Sequence, residues 1–211
     1  MPDRTTLQTL RVVSTLAALF SFSCSNKSNE SISDLNSSHS SSSMQVIKHT
    51  LDNGLTVFLS PNHETPRFYA EIITRAGSKH DPETNTGLAH YLEHLLFKGT
   101  SSFGTIDFEK EKPLLDQIAK LYEERSAEQN ETKRGEIYQK INEISIQAST
   151  FAVPNEMDRV YGNMGGKGIN AHTWHEETVY KVDLPANRLI HWAKIESERF
   201  ANPVFRLFHT E

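Results

Sequence analysis

The stretch Gly87-Leu88-Ala89-His90-Tyr91-Leu92-Glu93-His94-Leu95-Leu96-Phe97-Lys98-Gly99 decides how this chain is read. Leu88, Leu92, Leu95 and Leu96 recur at helical spacing through Phe97, with Asn85 or Thr86 able to cap the start and Gly99 closing the end. In a helix, positions i and i+4 share one face, about 5–6 Å apart at the β-carbons. His90 and His94 can therefore converge on one cation. Glu93 precedes the second imidazole and can reach water on that cation without being a ligand. The order inverts the HExxH zinc helix, with the carboxylate beside the other histidine. Zinc suits an imidazole pair, because it takes nitrogen and oxygen ligands tetrahedrally and keeps one position open in catalytic sites. The same five residues also fit a solvated helix face in a chain with ten histidines.

Upstream, Val46–Leu51 and Leu55–Ser60 are short β-prone runs joined by Asp52-Asn53-Gly54. Asn-Gly is a strong hairpin signal, because both residues tolerate positive φ. Phe68–Arg75 reads as a third strand with Phe68, Ala70 and Ile72 on one face, ended by Gly77. Downstream, Leu114, Ile118 and Leu121, then Ile137, Ile141 and Ile144, predict a two-helix hairpin broken at the polar stretch Ser126–Gly135. The glycine-rich run Tyr161–Gly168 leads to a strand over Glu177–Asp183. Pro185 opens a helix carrying Leu189, Trp192, Ile195 and Phe200, which Asn202-Pro203 stops. Strands first, helices interleaved and no repeat predict an α+β fold, with one mostly antiparallel sheet and helices packed on it.

Residues 1–23 read as an export signal: Arg4 and Arg11 supply a positive start, and Val12–Phe22 is apolar but too short to span a bilayer. Ser23-Cys24 then resembles a bacterial lipoprotein signal, in which the cysteine becomes the acylated first residue. A soluble-secretion signal or a buried core segment are the alternatives. Ten of the nineteen residues Ser25–Ser43 are serine. Such a segment cannot bury enough surface to offset its ordering entropy, so residues 24–43 are expected to be a flexible linker. The expectation is a domain over residues 44–211, exported and held to a bacterial envelope membrane through Cys24. Translation starting at Met44 would leave it in the cytoplasm.

Composition narrows the class. A chain of 211 residues suits one ordinary domain, and 36% hydrophobic residues suffice for its core. The net charge of −5 offers no basic footprint for a polyanion, so no nucleic-acid partner is expected. A single cysteine rules out an internal disulfide framework and an all-cysteine zinc site.

Several separate blocks point one way. Thr50-Leu51-Asp52-Asn53-Gly54-Leu55-Thr56-Val57, Ala76-Gly77-Ser78-Lys79, Gly87 through Thr100, Asn170-Ala171-His172-Thr173, Thr178-Val179-Tyr180 and Pro185 through Arg199 follow one another in a familiar order. In that order the chain resembles the zinc metallopeptidases of the pitrilysin, insulin-degrading enzyme and mitochondrial processing peptidase type, from about His49 to its last residue. The resemblance implies half of a two-domain αβ-roll clamshell and a Zn2+-dependent metalloendopeptidase acting on peptides or unfolded polypeptides. It makes His90 and His94 the zinc ligands and Glu93 the general base. It places Asn170 and Ala171 on a strand that takes the substrate by main-chain pairing; a turn residue after Gly168 is the alternative for Asn170. The family's third ligand is a glutamate on the helix following the segment that Phe205–Glu211 matches. Glu211 aligns with a supporting glutamate of that helix, and the ligand is expected beyond it. His172 and His175 are the substitutes within the chain, or else surface histidines. The expectation is thus an amino-terminal fragment needing a C-terminal half or a homologous subunit, with a helical insertion over about 108–148. Two rivals stand beside the enzyme: an inactive fragment or non-catalytic partner subunit lacking the third ligand, and a membrane-tethered binding module using the helical hairpin.

Overall fold

The computed structural model describes residues 45–208. The expected export signal and linker, with Cys24, and Glu211 lie outside the described residues. Those described divide into two units: residues 45–66 with 190–197, and residues 67–189 with 198–208.

In the first unit, β1 (Ile47–Thr50) pairs antiparallel with β2 (Thr56–Leu59), Ile47 opposite Leu59 and Thr50 opposite Thr56. The turn is made where Asp52-Asn53-Gly54 predicts it. The Gly54 N–H donates to the Leu51 carbonyl at 2.8 Å, and Asn53 Oδ1 accepts from the Leu55 N–H at 3.0 Å.

The second unit is built on β3 (Arg67–Thr74), β4 (Lys167–Thr173) and β5 (Thr178–Pro185), in the order β3-β5-β4 and antiparallel throughout. Side chains alternate across a pleated sheet, so one face carries Phe68, Ala70 and Ile72 beside Leu184, Val182 and Tyr180, with Ala171 and Thr173 on the far strand. Val182, Tyr180 and Leu184 are buried there. The described strands thus form two antiparallel sheets, and with the helices the fold is α+β.

Five α-helices are described: α1 (Leu88–Leu95), α2 (Phe108–Ala127), α3 (Glu131–Ser149), α4 (Glu156–Asn163) and α5 (Leu189–Ala201). Helices α2 and α3 form the hairpin that the apolar spacing predicts. Ile118, Ile141 and Ala148 are buried between them, flanked by Leu114, Leu121, Ile137 and Ile144. Burying an isoleucine contributes about 1.5–3 kcal/mol relative to exposure, which favours docking of two otherwise polar helices. Their separation differs from the expected polar stretch: α2 runs through Ala127 and α3 restarts at Glu131, because Asn130 accepts from the Lys133 N–H at 3.1 Å and caps the second helix early. Helix α4 was hidden in the sequence behind the glycine-rich run. Helix α5 begins after a short 3-10 turn at Ala186–Arg188 and ends at Asn202, as Pro185 and Asn202-Pro203 suggest. Among the described residues, no helix is long and apolar enough to cross a membrane.

Candidate active site

Helix α1 carries the candidate chemistry, and its entry is corrected by the structure. Neither Asn85 nor Thr86 caps it. Gly87 is the N-cap, at φ 90°, where a side chain would be strained. Asp81 supplies the missing acceptors from a distance: its Oδ2 accepts from the Gly87 N–H at 2.7 Å and its Oδ1 from the Ala89 N–H at 2.8 Å. A carboxylate there satisfies two of the helix's unpaired donors and meets the positive end of its dipole.

The buried face of α1 also departs from the leucine pattern. Leu88 is 50% and Leu92 43% exposed, whereas Glu93 is only 7% exposed, beside buried Leu95 and Leu96. The cause is the sheet: α1 lies against β4 and β5, and Phe97 meets the Tyr180 ring at 6.0 Å between centroids.

His90 and His94 do meet. Their Nε2 atoms are 3.2 Å apart, with ring centroids 4.8 Å apart and planes at 82°. Two nitrogens about 2.0–2.1 Å from one tetrahedral zinc ion would stand roughly 3.3 Å apart, so the pair fits such an ion. Both side chains are exposed, so the shared point opens to solvent. Among the described residues, no third His, Cys, Asp or Glu joins them in a group able to hold a metal.

The Glu93 carboxylate points to the end of the β4–β5 hairpin. Its Oε2 accepts from Thr173 Oγ1 at 2.5 Å. Thr173 faces Thr178 across the hairpin, their hydroxyl oxygens 3.2 Å apart, and Thr178 Oγ1 donates to the Ala76 carbonyl at 2.9 Å. Beyond the threonines the hairpin tip is tied to the loop after β3. The Ser78 and Lys79 N–H groups donate to the Trp174 and His175 carbonyls at 2.9 and 3.0 Å, and Lys79 pairs with Glu176. The hydrogen bond from that ammonium holds the Glu176 carboxyl below its ordinary value.

The pleat of β4 sorts the strand residues. Ala171 and Thr173 lie on the face toward Glu93, and Asn170 and His172 alternate to the other face, exposed. His172 is therefore directed away from the imidazole pair, and His175 is exposed at the hairpin tip with its Nδ1 3.4 Å from Ser78 Oγ. β4 is the outer strand of its sheet, so one side of its main chain has no partner strand among the described residues.

Two features escaped the sequence reading. Thr173 stood inside a quoted motif without a role. Arg206 and Glu111 form a buried pair 95 residues apart, at 2.8 and 3.1 Å, with no local signal. Gly99 and Gly104 make room for that guanidinium: a β-carbon on Gly99 would fall 2.3 Å from the Phe103 carbonyl oxygen and 2.9 Å from the Arg206 guanidinium, and one on Gly104 would fall 2.6 Å from that guanidinium.

Residues 56–112 match the sequence profile of the family Insulinase (Peptidase family M16). Protease 3 of Escherichia coli (strain K12) is 37% identical over 57 residues, which are 27% of this chain and 6% of that protein. The mitochondrial-processing peptidase subunit beta of Rattus norvegicus is 41% identical over 61 residues, 29% of this chain and 12% of that protein. The chain thus matches only a small part of these relatives' length. A crystal structure of a protease from Helicobacter pylori shares the fold, with a TM-score of 0.51 at 20% identity, covering 77% of this chain and 27% of that one.

Proposed function

We propose that this chain, whose residues 56–112 match the insulinase (Peptidase family M16) model, forms part of a zinc-dependent metalloendopeptidase. The observation that carries this is the 3.2 Å convergence of the His90 and His94 Nε2 atoms beside a buried Glu93. His90 and His94 would hold the zinc ion, with a third ligand from the helix expected after Glu211 and Glu211 supporting it. Zinc bound there would acidify water and polarise the scissile carbonyl. Glu93 takes a proton from the attacking water and later delivers it to the leaving amine. An extended peptide adds to the outer edge of β4 near Asn170 and Ala171, through main-chain hydrogen bonds that read shape more than sequence. A C-terminal half or homologous subunit would close over the peptide.

The test is zinc titration and peptide cleavage with the full chain and its complementing half. His90→Ala and His94→Ala should each abolish stoichiometric zinc binding. Glu93→Gln should keep zinc and lower cleavage by about 10²–10⁴-fold, the usual contribution of a general base. Retained cleavage in E93Q overturns the base assignment, and zinc uptake unaffected by both histidine variants overturns the site. A non-catalytic partner subunit is the second reading; it requires zinc-loaded protein that never turns over, even when complemented.

Export with lipidation at Cys24 rests on the sequence of residues 1–43. Globomycin should make the precursor accumulate, and unaltered processing rules out a lipoprotein.

A further inference from the structure

A general base must present one oxygen to the reacting proton in a fixed direction. Glu93 has a specific means of doing so. Its carboxylate makes one hydrogen bond among the described residues, from Thr173 Oγ1 to Oε2 at 2.5 Å. That contact engages Oε2 and leaves Oε1 without a hydrogen bond among the described residues. The donor is itself fixed. Thr173 ends β4 and stands opposite Thr178, whose main-chain carbonyl accepts from Thr74 Oγ1 at 3.1 Å and whose hydroxyl donates to Ala76 at 2.9 Å. The Thr178 hydroxyl oxygen lies 3.2 Å from that of Thr173. Three strand ends and the loop after β3 thus aim one hydroxyl at one carboxylate oxygen.

We propose that Thr173 is a positioning residue for the proposed reaction: it anchors Glu93 through Oε2 so that Oε1 faces the point on which His90 and His94 converge. Successive residues of a helix point about 100° apart. Glu93 therefore points about 60° from His90 and about 100° from His94, to one side of the pair, and an external anchor fixes which way its carboxylate turns. A single neutral hydroxyl provides that anchor while leaving the second oxygen available, which a bidentate arginine would not.

The inference rests on Glu93 being the base, and the experiment separates the two. Thr173→Val and Thr173→Ser are made in the full chain with its complementing half, beside Glu93→Gln. T173V should lower kcat by about 10–100-fold, the scale of a misplaced catalytic group. KM and zinc affinity should stay within about twofold, since His90 and His94 are untouched. T173S, which restores the hydroxyl, should return kcat to within a few-fold of the parent. A crystal structure of T173V should show the Glu93 carboxylate turned from its position in the parent; this readout needs no turnover. An unmoved carboxylate, or parental kcat in T173V, overturns the anchor. If E93Q still cleaves, the base assignment has failed instead. Where T173V does not fold, Thr173→Ala takes its place.

Discussion

Glu93 and Glu111 are both buried carboxylates on helices of one unit, and they are held in opposite ways. Glu111 is fully buried and faces Arg206, 2% exposed, through both carboxylate oxygens at 2.8 and 3.1 Å. The remaining guanidinium donors go to the carbonyls of Lys98, Thr100 and Phe103 at 2.7, 2.7 and 3.2 Å. A buried charge is tolerated when it is paired and its hydrogen-bonding capacity is filled, and here a helix, a loop and a C-terminal segment are tied together by that requirement. Glu93 meets one hydroxyl and no cation at hydrogen-bonding distance among the described residues. A carboxylate engaged on both oxygens holds a fold together. One engaged on a single oxygen can still act on something else.

The sharpest way to break this contrast is Arg206→Met. It leaves Glu111 buried without its cation, and the expected cost is about 3–5 kcal/mol, read as a large fall in the urea midpoint of unfolding. A midpoint near the parent's would mean that the pair contributes little and the contrast is wrong. Glu93→Gln gives the opposite pattern: cleavage collapses while the midpoint moves by no more than about 1 kcal/mol, because the amide oxygen still accepts from Thr173. The smallest effect is expected at Asp81→Ala, which removes the remote cap of α1 and should cost about 1 kcal/mol, as for an ordinary N-cap. Faster amide exchange confined to Gly87 and Ala89 would mark that loss; unchanged exchange at both would show the Asp81 bonds to be dispensable.

How far such features can be read in advance depends on chain distance. The β1–β2 turn was legible because Asn53 and Gly54 create it within four residues. The α2–α3 hairpin was legible because Leu114, Ile118, Ile137 and Ile141 repeat at helical spacing on both arms. The histidine convergence was legible too, since i and i+4 meet on any regular helix. The cap of α1 was not, because Asp81 reaches it from six and eight residues away, outside any local capping pattern. The covered side of α1 was not legible either: apolar spacing marks where leucines lie on a helix, but the sheet determines which side is covered, and it covered Glu93 rather than Leu88.

By itself the sequence determined the local geometry: the turn, the helices and the face shared by His90 and His94, all consequences of φ preferences and a fixed helical period. Only the tertiary structure decided which acidic groups are buried and what holds them. Thr173 comes to Glu93 from 80 residues along the chain, and Arg206 comes to Glu111 from 95. Partners so distant are chosen by the packing of sheet on helix, where the need to satisfy every buried polar group acts across the whole fold.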